Sequence, residues 1–90
     1  MGAVAETMRG KLTDALSPRR LEIVDDSSRH AGHAGTRAGG ESHFTVTIEA
    51  AAFTGLARVQ RQRLIHAILA EELAGPVHAL SVRALATGET

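Results

Sequence analysis

The strictest constraint on the fold is one stretch of alternating side chains, residues 43–49. Phe44, Val46 and Ile48 alternate there with polar residues, and a period of two is typical of a strand with one buried face. This is the clearest strand in the sequence. We expect it to pair antiparallel with residues 21–25, which precede it across a long loop.

Two segments have the three- and four-residue spacing of apolar side chains that is typical of an amphipathic helix. The first covers residues 4–16 and ends at Ser17, because the residue before a proline is pushed out of the helical region. The second is a long helix that ends near Leu73, where Gly75 is predicted to be a left-handed cap. A short helical turn near Leu56 is expected before it.

Two further strands are predicted, at residues 21–25 and 77–85. The order is then helix, strand, strand, one or two helices, and strand, which is an α+β domain with a small three-stranded sheet covered by helices. Ninety residues support one hydrophobic core, so residues 1–90 are predicted to form a single domain. Within it, the glycine-rich segment 27–42 is predicted to be a flexible loop, and residues 86–90 a polar tail that frays.

The charge balance and the lack of cysteine argue against several classes of protein. Ten Lys and Arg residues balance ten Asp and Glu residues, whereas a dedicated nucleic-acid-binding protein usually has a clear basic excess. Without cysteine the chain forms no disulfide and supplies no thiolate to a metal. No secretory signal or membrane-spanning run is visible, so we expect a cytoplasmic protein with no membrane partner. No nucleophile–base pair or phosphate-binding glycine loop is visible either, and we expect no enzyme.

The histidines are the first candidates for a binding site. His78 shares strand parity with Leu80 and Val82, which by itself predicts a structural histidine at the rim of the core. His30 and His33 form a His-x-x-His pair in the glycine-rich loop. The plainest interpretation of that pair is a solvated segment that binds stray divalent metal weakly.

Six blocks of the sequence together resemble the BolA family. They occur in the family's order and include Ser-His-Phe and Val-His-Ala-Leu; the blocks are residues 21–28, 42–46, 53–56, 59–65, 71–73 and 77–81. The resemblance implies a class II KH-like fold, ordered α-β-β-α-α-β, with a helix-turn-helix-like pair between the second and third strands. Two features depart from related patterns. Arg61-Gln62-Arg63 stands where the family commonly has Arg-His-Arg, and the Gly-x-x-Gly loop of RNA-binding KH domains is missing.

The resemblance also implies a function. Members of the family take part in iron–sulfur cluster assembly, trafficking or iron regulation with a monothiol glutaredoxin, and some act in transcriptional or stress-linked regulation. His78 matches the family histidine that ligates a [2Fe–2S] cluster shared with the glutaredoxin and its glutathione. His30 lies where histidine-type members place the second ligand, and His33 is the alternative. Because this chain has no thiolate, a partner must complete the cluster, and the isolated chain is expected to hold none.

The beginning of the long helix carries Arg58, Arg61 and Arg63. In a helix-turn-helix these side chains contact phosphates or base edges, which predicts a DNA-binding regulator. The same arginines suit an acidic surface on a glutaredoxin, and the plainest interpretation is a solvated face offset by Glu71 and Glu72. Three hypotheses therefore remain: a cluster-sharing adaptor, a DNA-binding regulator, and an interaction module whose histidines are incidental.

Overall fold

A computed structural model of the chain describes residues 2–26 and 42–89. Its elements are α1 (Ala3–Leu16), β1 (Arg20–Asp25), β2 (His43–Glu49), a 3-10 helix (Ala51–Phe53), α2 (Arg58–Ile68), α3 (Ala70–Ala74) and β3 (Ala79–Leu85). The α+β order α-β-β-α-α-β is the predicted one. Residues 27–41, which contain His30, His33 and most of the predicted loop, lie outside the described residues.

β2 is the central strand of a three-stranded sheet. It pairs antiparallel with β1, as expected, and parallel with β3. A parallel pair requires a crossover connection, which α2 and α3 provide. The register sets Asp25 beside Phe44 and His43 beside Ala79. The end of β1 and the beginnings of β2 and β3 therefore lie at one end of the sheet.

The apolar face of β2 forms the centre of the core. Phe44, Val46 and Ile48 are at most 2% exposed, as their alternation predicted. Apolar side chains of the helices complete the same buried cluster, among them Met8, Leu12, Phe53, Ile65 and Leu69. Each fully buried side chain of this size contributes about 1.5–3 kcal/mol to folding, so this face holds the helices against the sheet.

The long helix predicted to run to Leu73 is two helices, because it breaks at Leu69. This residue has φ −100° and ψ 21°, outside the helical values, and its side chain is fully buried. The apolar spacing continues through the break, so periodicity alone could not reveal it. The break, rather than the short helical turn expected near Leu56, therefore produces the second α-helix between β2 and β3, and the only helical turn before α2 in residues 42–57 is Ala51–Phe53.

The prediction that Gly75 is a left-handed cap is wrong, since its φ is −118°. The chain turns there through the carbonyl of Glu72, which accepts the N–H groups of Gly75 at 3.2 Å and Val77 at 2.9 Å. The left-handed cap is at Ser17, with φ 45°. It ends α1 in front of Pro18, where the sequence predicted the helix to stop.

The structure describes one residue of the predicted loop and most of the predicted tail. Ser42, assigned to the flexible loop, is 1% exposed. In the predicted tail, residues 86–89 form a turn closed by a hydrogen bond from the Glu89 N–H to the Ala86 carbonyl at 2.9 Å. No helix in residues 2–26 or 42–89 combines the length and apolar content that crossing a bilayer requires.

Candidate functional site

One end of the sheet brings together Asp26, Ser42, His43 and His78, and we call these four residues the histidine end. The ring centroids of His43 and His78 are 6.4 Å apart and their planes meet at 62°. The backbone N–H of His78 donates to the Ser42 carbonyl at 2.8 Å. The two imidazoles are therefore carried by adjacent, hydrogen-bonded segments.

His78 is exposed to solvent rather than placed at the rim of the core. β3 begins at Ala79, so His78 lies in the extended residues before the strand, and parity with Leu80 does not determine its side-chain direction. Val77, directly before it, is 2% exposed and anchors the segment in the core. The result is an accessible imidazole on a fixed backbone.

His43, the first residue of β2, is half-buried. Its Nδ1 lies 2.9 Å from Oγ of the buried Ser42, within hydrogen-bonding distance. The proximity of His43 to His78 was not predicted. It follows from the parallel pairing of β2 with β3, which no local pattern in the sequence encodes.

Asp26 marks the point at which the chain leaves the histidine end. Its N–H donates to the His43 carbonyl at 2.7 Å, and its carboxylate accepts a hydrogen bond from Thr45. The chain returns to the sheet at Ser42. Both ends of the segment that carries His30 and His33 are thus attached beside His43, while those two residues themselves lie outside the described ranges.

At the opposite end of the sheet, Arg61 joins α2 to β3 and to the turn that follows β3. Its guanidinium donates to the carbonyls of Leu56 at 2.9 Å and Ala84 at 3.1 Å, and to the carboxylate of Glu89. We call Arg61, Ala84 and Glu89 the arginine end. The hydrogen bond from Arg61, followed by one from the Ala86 N–H, lowers the pKa of the Glu89 carboxyl.

Arg58 and Arg63 are exposed, in contrast to Arg61, whose side chain is 13% exposed. An open cleft of about 580 Å³ lies between α2 and β3, and its lining includes Arg58, Arg61, Arg83 and Glu89. The structure thus brings two of the three predicted arginines to one cleft and leaves Arg63 outside its lining. Arg83 was missed, because only the crossover places β3 beside α2.

The acidic residues expected to offset these arginines pair elsewhere. Lys11 Nζ on α1 lies 2.9 Å from the Glu71 carboxylate and 2.8 Å from that of Glu72. Hydrogen bonds to Glu72 and then to Glu71 raise the pKa of the Lys11 ammonium. Arg58 and Arg63 therefore keep their positive charge unopposed by the acidic residues of α3.

The model of the BolA-like protein family matches residues 12–89. The chain belongs to the BolA-like family. Over 84 residues it is 50% identical to BolA-like protein 1 of Pongo abelii, covering 93% of this chain and 58% of that protein. It is also 36% identical to the DNA-binding transcriptional regulator BolA of Vibrio cholerae, covering 96% of this chain and 77% of the relative.

A solved BolA structure supports the same assignment for the fold. BolA1 from Arabidopsis thaliana superimposes with a TM-score of 0.86 at 37% identity, covering 100% of this chain and 99% of that one. The BolA resemblance and the element order expected from it are therefore confirmed. The chain spans less than three fifths of the length of BolA-like protein 1, at 58%. A cytoplasmic location stays a prediction.

Proposed function

We propose that this BolA-like chain is a non-enzymatic adaptor that shares a [2Fe–2S] cluster, as cargo, with a monothiol glutaredoxin and its glutathione. His78 is one ligand and a histidine of segment 27–41 is the other, His30 or, as the alternative, His33. The observation that carries the proposal is the exposed imidazole of His78. It lies at the end of the sheet where that segment leaves and returns.

The donor atoms of the histidine end fit this role. Imidazole nitrogen replaces thiolate at one iron of some [2Fe–2S] clusters, and an exposed ring can meet a cluster that a second protein presents. The chain contains no cysteine, so the partner must supply the thiolate ligands. The His78 backbone is held by Ser42, which reduces the conformational entropy lost when the complex forms.

A titration of cluster-loaded glutaredoxin with this chain tests the proposal through visible circular dichroism. The unaltered chain is expected to change the spectrum, His78→Ala to abolish the change, and His30→Ala to reduce it. His66→Ala is the matched control, since His66 is an exposed histidine on α2. If His78→Ala behaves like the unaltered chain, the ligand assignment is wrong.

Loss of folding is not expected to complicate this test. His78 is held through its backbone N–H, which alanine retains, and its side chain is exposed. Far-ultraviolet circular dichroism of His78→Ala should therefore match that of the unaltered chain. A lost cluster signal with an unchanged far-ultraviolet spectrum would then report on ligation alone.

DNA binding is the second candidate function. It is favoured by the Vibrio cholerae relative, which is named a DNA-binding transcriptional regulator, and by the exposed arginines of α2 and β3. Because Arg61 is engaged by Glu89 and two carbonyls, the phosphate contacts would be made by Arg58, Arg63 and Arg83. The net charge of zero supplies no long-range attraction in support.

Salt dependence tests this second function. Affinity for duplex DNA should fall steeply with salt concentration. Arg58→Ala should reduce the slope of log affinity against log salt concentration by about one, the equivalent of one phosphate contact. The unaltered chain at about 50 mM salt should bind measurably, because non-specific phosphate contacts are strongest at low salt. No binding there would reject the DNA-binding function. If both proposed functions fail these tests, the remaining hypothesis is an interaction module whose histidines are incidental.

A further inference from the structure

We propose that His43 and His78 form a site for a single divalent transition-metal ion, such as Zn²⁺, in the free chain. The site uses imidazole nitrogens of two neighbouring segments of the sheet. It requires neither a partner protein nor any residue of segment 27–41. It is therefore separate from the shared cluster proposed above, although both would use His78.

A small movement of the His78 side chain would bring the two rings to the separation that one shared ion requires. Since a zinc–imidazole bond is about 2.0–2.1 Å long and zinc is usually tetrahedral, two imidazoles on one ion have ring centroids roughly 5 Å apart. The centroids of His43 and His78 are 6.4 Å apart and the ring planes meet at 62°. His78 is exposed, so its side chain can rotate to bring its ring the remaining distance, about 1 Å, toward His43.

The backbones that carry the two rings are fixed relative to each other. His43 begins β2, where it is the register partner of Ala79. The N–H groups of His78 and Ala79 both donate to the Ser42 carbonyl, at 2.8 and 3.2 Å. Little chain entropy is therefore lost when the two side chains bind one ion.

Ser42 orients the His43 ring. A metal-binding histidine generally has its second ring nitrogen hydrogen-bonded to a neighbouring group, which fixes the tautomer and the ring direction. Ser42 Oγ is 2.9 Å from Nδ1 of His43, and Ser42 is only 1% exposed. Ser42 therefore fixes the direction of the His43 ring.

The number and type of donors define the class of ion. Among residues 2–26 and 42–89, no group of three or more His, Cys, Asp or Glu side chains is arranged to hold a metal. Water would complete the coordination, so binding should be weaker than at a closed structural zinc site. Imidazole donors favour zinc, copper and nickel over magnesium and calcium.

Calorimetric titration of the full chain with zinc chloride tests the site. His43→Phe keeps a planar ring at the half-buried position but removes both nitrogens, and His78→Ala removes the other ligand. Each is expected to weaken zinc binding at least about tenfold, because even loss of a group that only supports a metal ligand costs about 10–100-fold in affinity. The control, His66→Ala, changes an exposed histidine of α2 and should bind as the unaltered chain does. Unchanged binding in His43→Phe would overturn the proposal.

Nuclear magnetic resonance of the unaltered chain provides a test that does not depend on folding of the variants. Added zinc should shift the ring signals of both His43 and His78. Shifts confined to His78, or shared by His78 with His30 or His33 but not His43, would contradict the site. Neither experiment contains a glutaredoxin or a cluster, so failure here is distinct from failure of the adaptor function.

Discussion

At the arginine end of the sheet, the charged side chain of Arg61 is held by two backbone carbonyls and the Glu89 carboxylate. At the histidine end, the imidazole of His78 is exposed and is fixed only through its backbone. Both ends therefore carry a residue predicted to bind a partner. Only at the histidine end is that side chain accessible without breaking internal hydrogen bonds.

The difference separates a stabilising role from a binding role. A guanidinium that already donates to several internal acceptors must lose those bonds before it contacts a ligand, and the carbonyls it leaves behind are then unsatisfied. An exposed imidazole on a rigid backbone has no such cost. We therefore expect substitutions at the arginine end to lower stability, and substitutions at the histidine end to lower binding.

The largest expected effect on function is that of His78→Ala. It should reduce cluster sharing at least about tenfold, because it removes a proposed ligand and even loss of a group that supports a ligand costs about 10–100-fold in affinity. The free energy of unfolding should change by no more than about 0.5 kcal/mol, as for most exposed positions. Urea unfolding measures this change in the free energy of unfolding. A large loss of stability would instead indicate the structural histidine that strand parity alone predicted.

At the other end, Arg61→Met should show the opposite signature. It retains an apolar stem but removes the guanidinium that donates to the Ala84 carbonyl and the Glu89 carboxylate. The urea midpoint should therefore fall clearly while cluster sharing persists. The matched control is the exposed Arg63, where Arg63→Met should cost at most about 0.5 kcal/mol. Equal midpoints for the two variants would remove the distinction between the ends.

The pH dependence of stability sharpens the same comparison. The pKa of the Glu89 carboxyl is lowered in the fold from its ordinary 4.5, first by the hydrogen bond from Arg61. Its stabilising contribution is therefore fully present above pH 4.5 and is lost as pH falls through the lower folded value. Glu89→Gln should reduce this loss of stability at acid pH, as measured by urea unfolding between about pH 3 and pH 7. An unchanged loss of stability in the variant would show that the ion pair of Arg61 and Glu89 contributes little.

Ser42→Ala is expected to have a modest effect on both stability and cluster sharing. The variant removes one hydrogen bond to His43, with a cost of about 1 kcal/mol, while the Ser42 carbonyl still holds His78. Cluster sharing should fall less than in His78→Ala. Ser81→Ala, an exposed serine on β3, is the control and should be near neutral. A loss of cluster sharing in Ser42→Ala as large as in His78→Ala would show that the Ser42 hydroxyl matters more than the exposure of His78.

The elements that could be predicted well are those with a strong local signal. Polar and apolar side chains alternate without interruption over residues 43–49, and β2 has those bounds. α1 ends at Leu16 because Ser17 precedes a proline. By contrast, the break at Leu69 is a consequence of packing, since apolar spacing continues past it. Gly75 is a similar case, because Glu72 closes the turn without a left-handed residue.

The candidate site was less predictable, because it depends on contacts between distant residues. The pattern around His78 indicated a core histidine, and only the resemblance to the BolA family indicated a ligand. The approach of His43 to His78 requires the parallel β2–β3 register. The engagement of Arg61 likewise depends on Glu89, 28 residues further along the chain. Such pairings become visible only when the fold is known.

Paramagnetic broadening tests whether the partner and the cluster meet the chain at the histidine end. The ¹⁵N-labelled chain would be titrated with cluster-loaded glutaredoxin. We expect the amide signals of Phe44, Ala79 and Leu80 to broaden and those of Arg61, Ala84 and Glu89 to stay sharp. Broadening centred on the arginine end, or none at either end, would contradict this expectation.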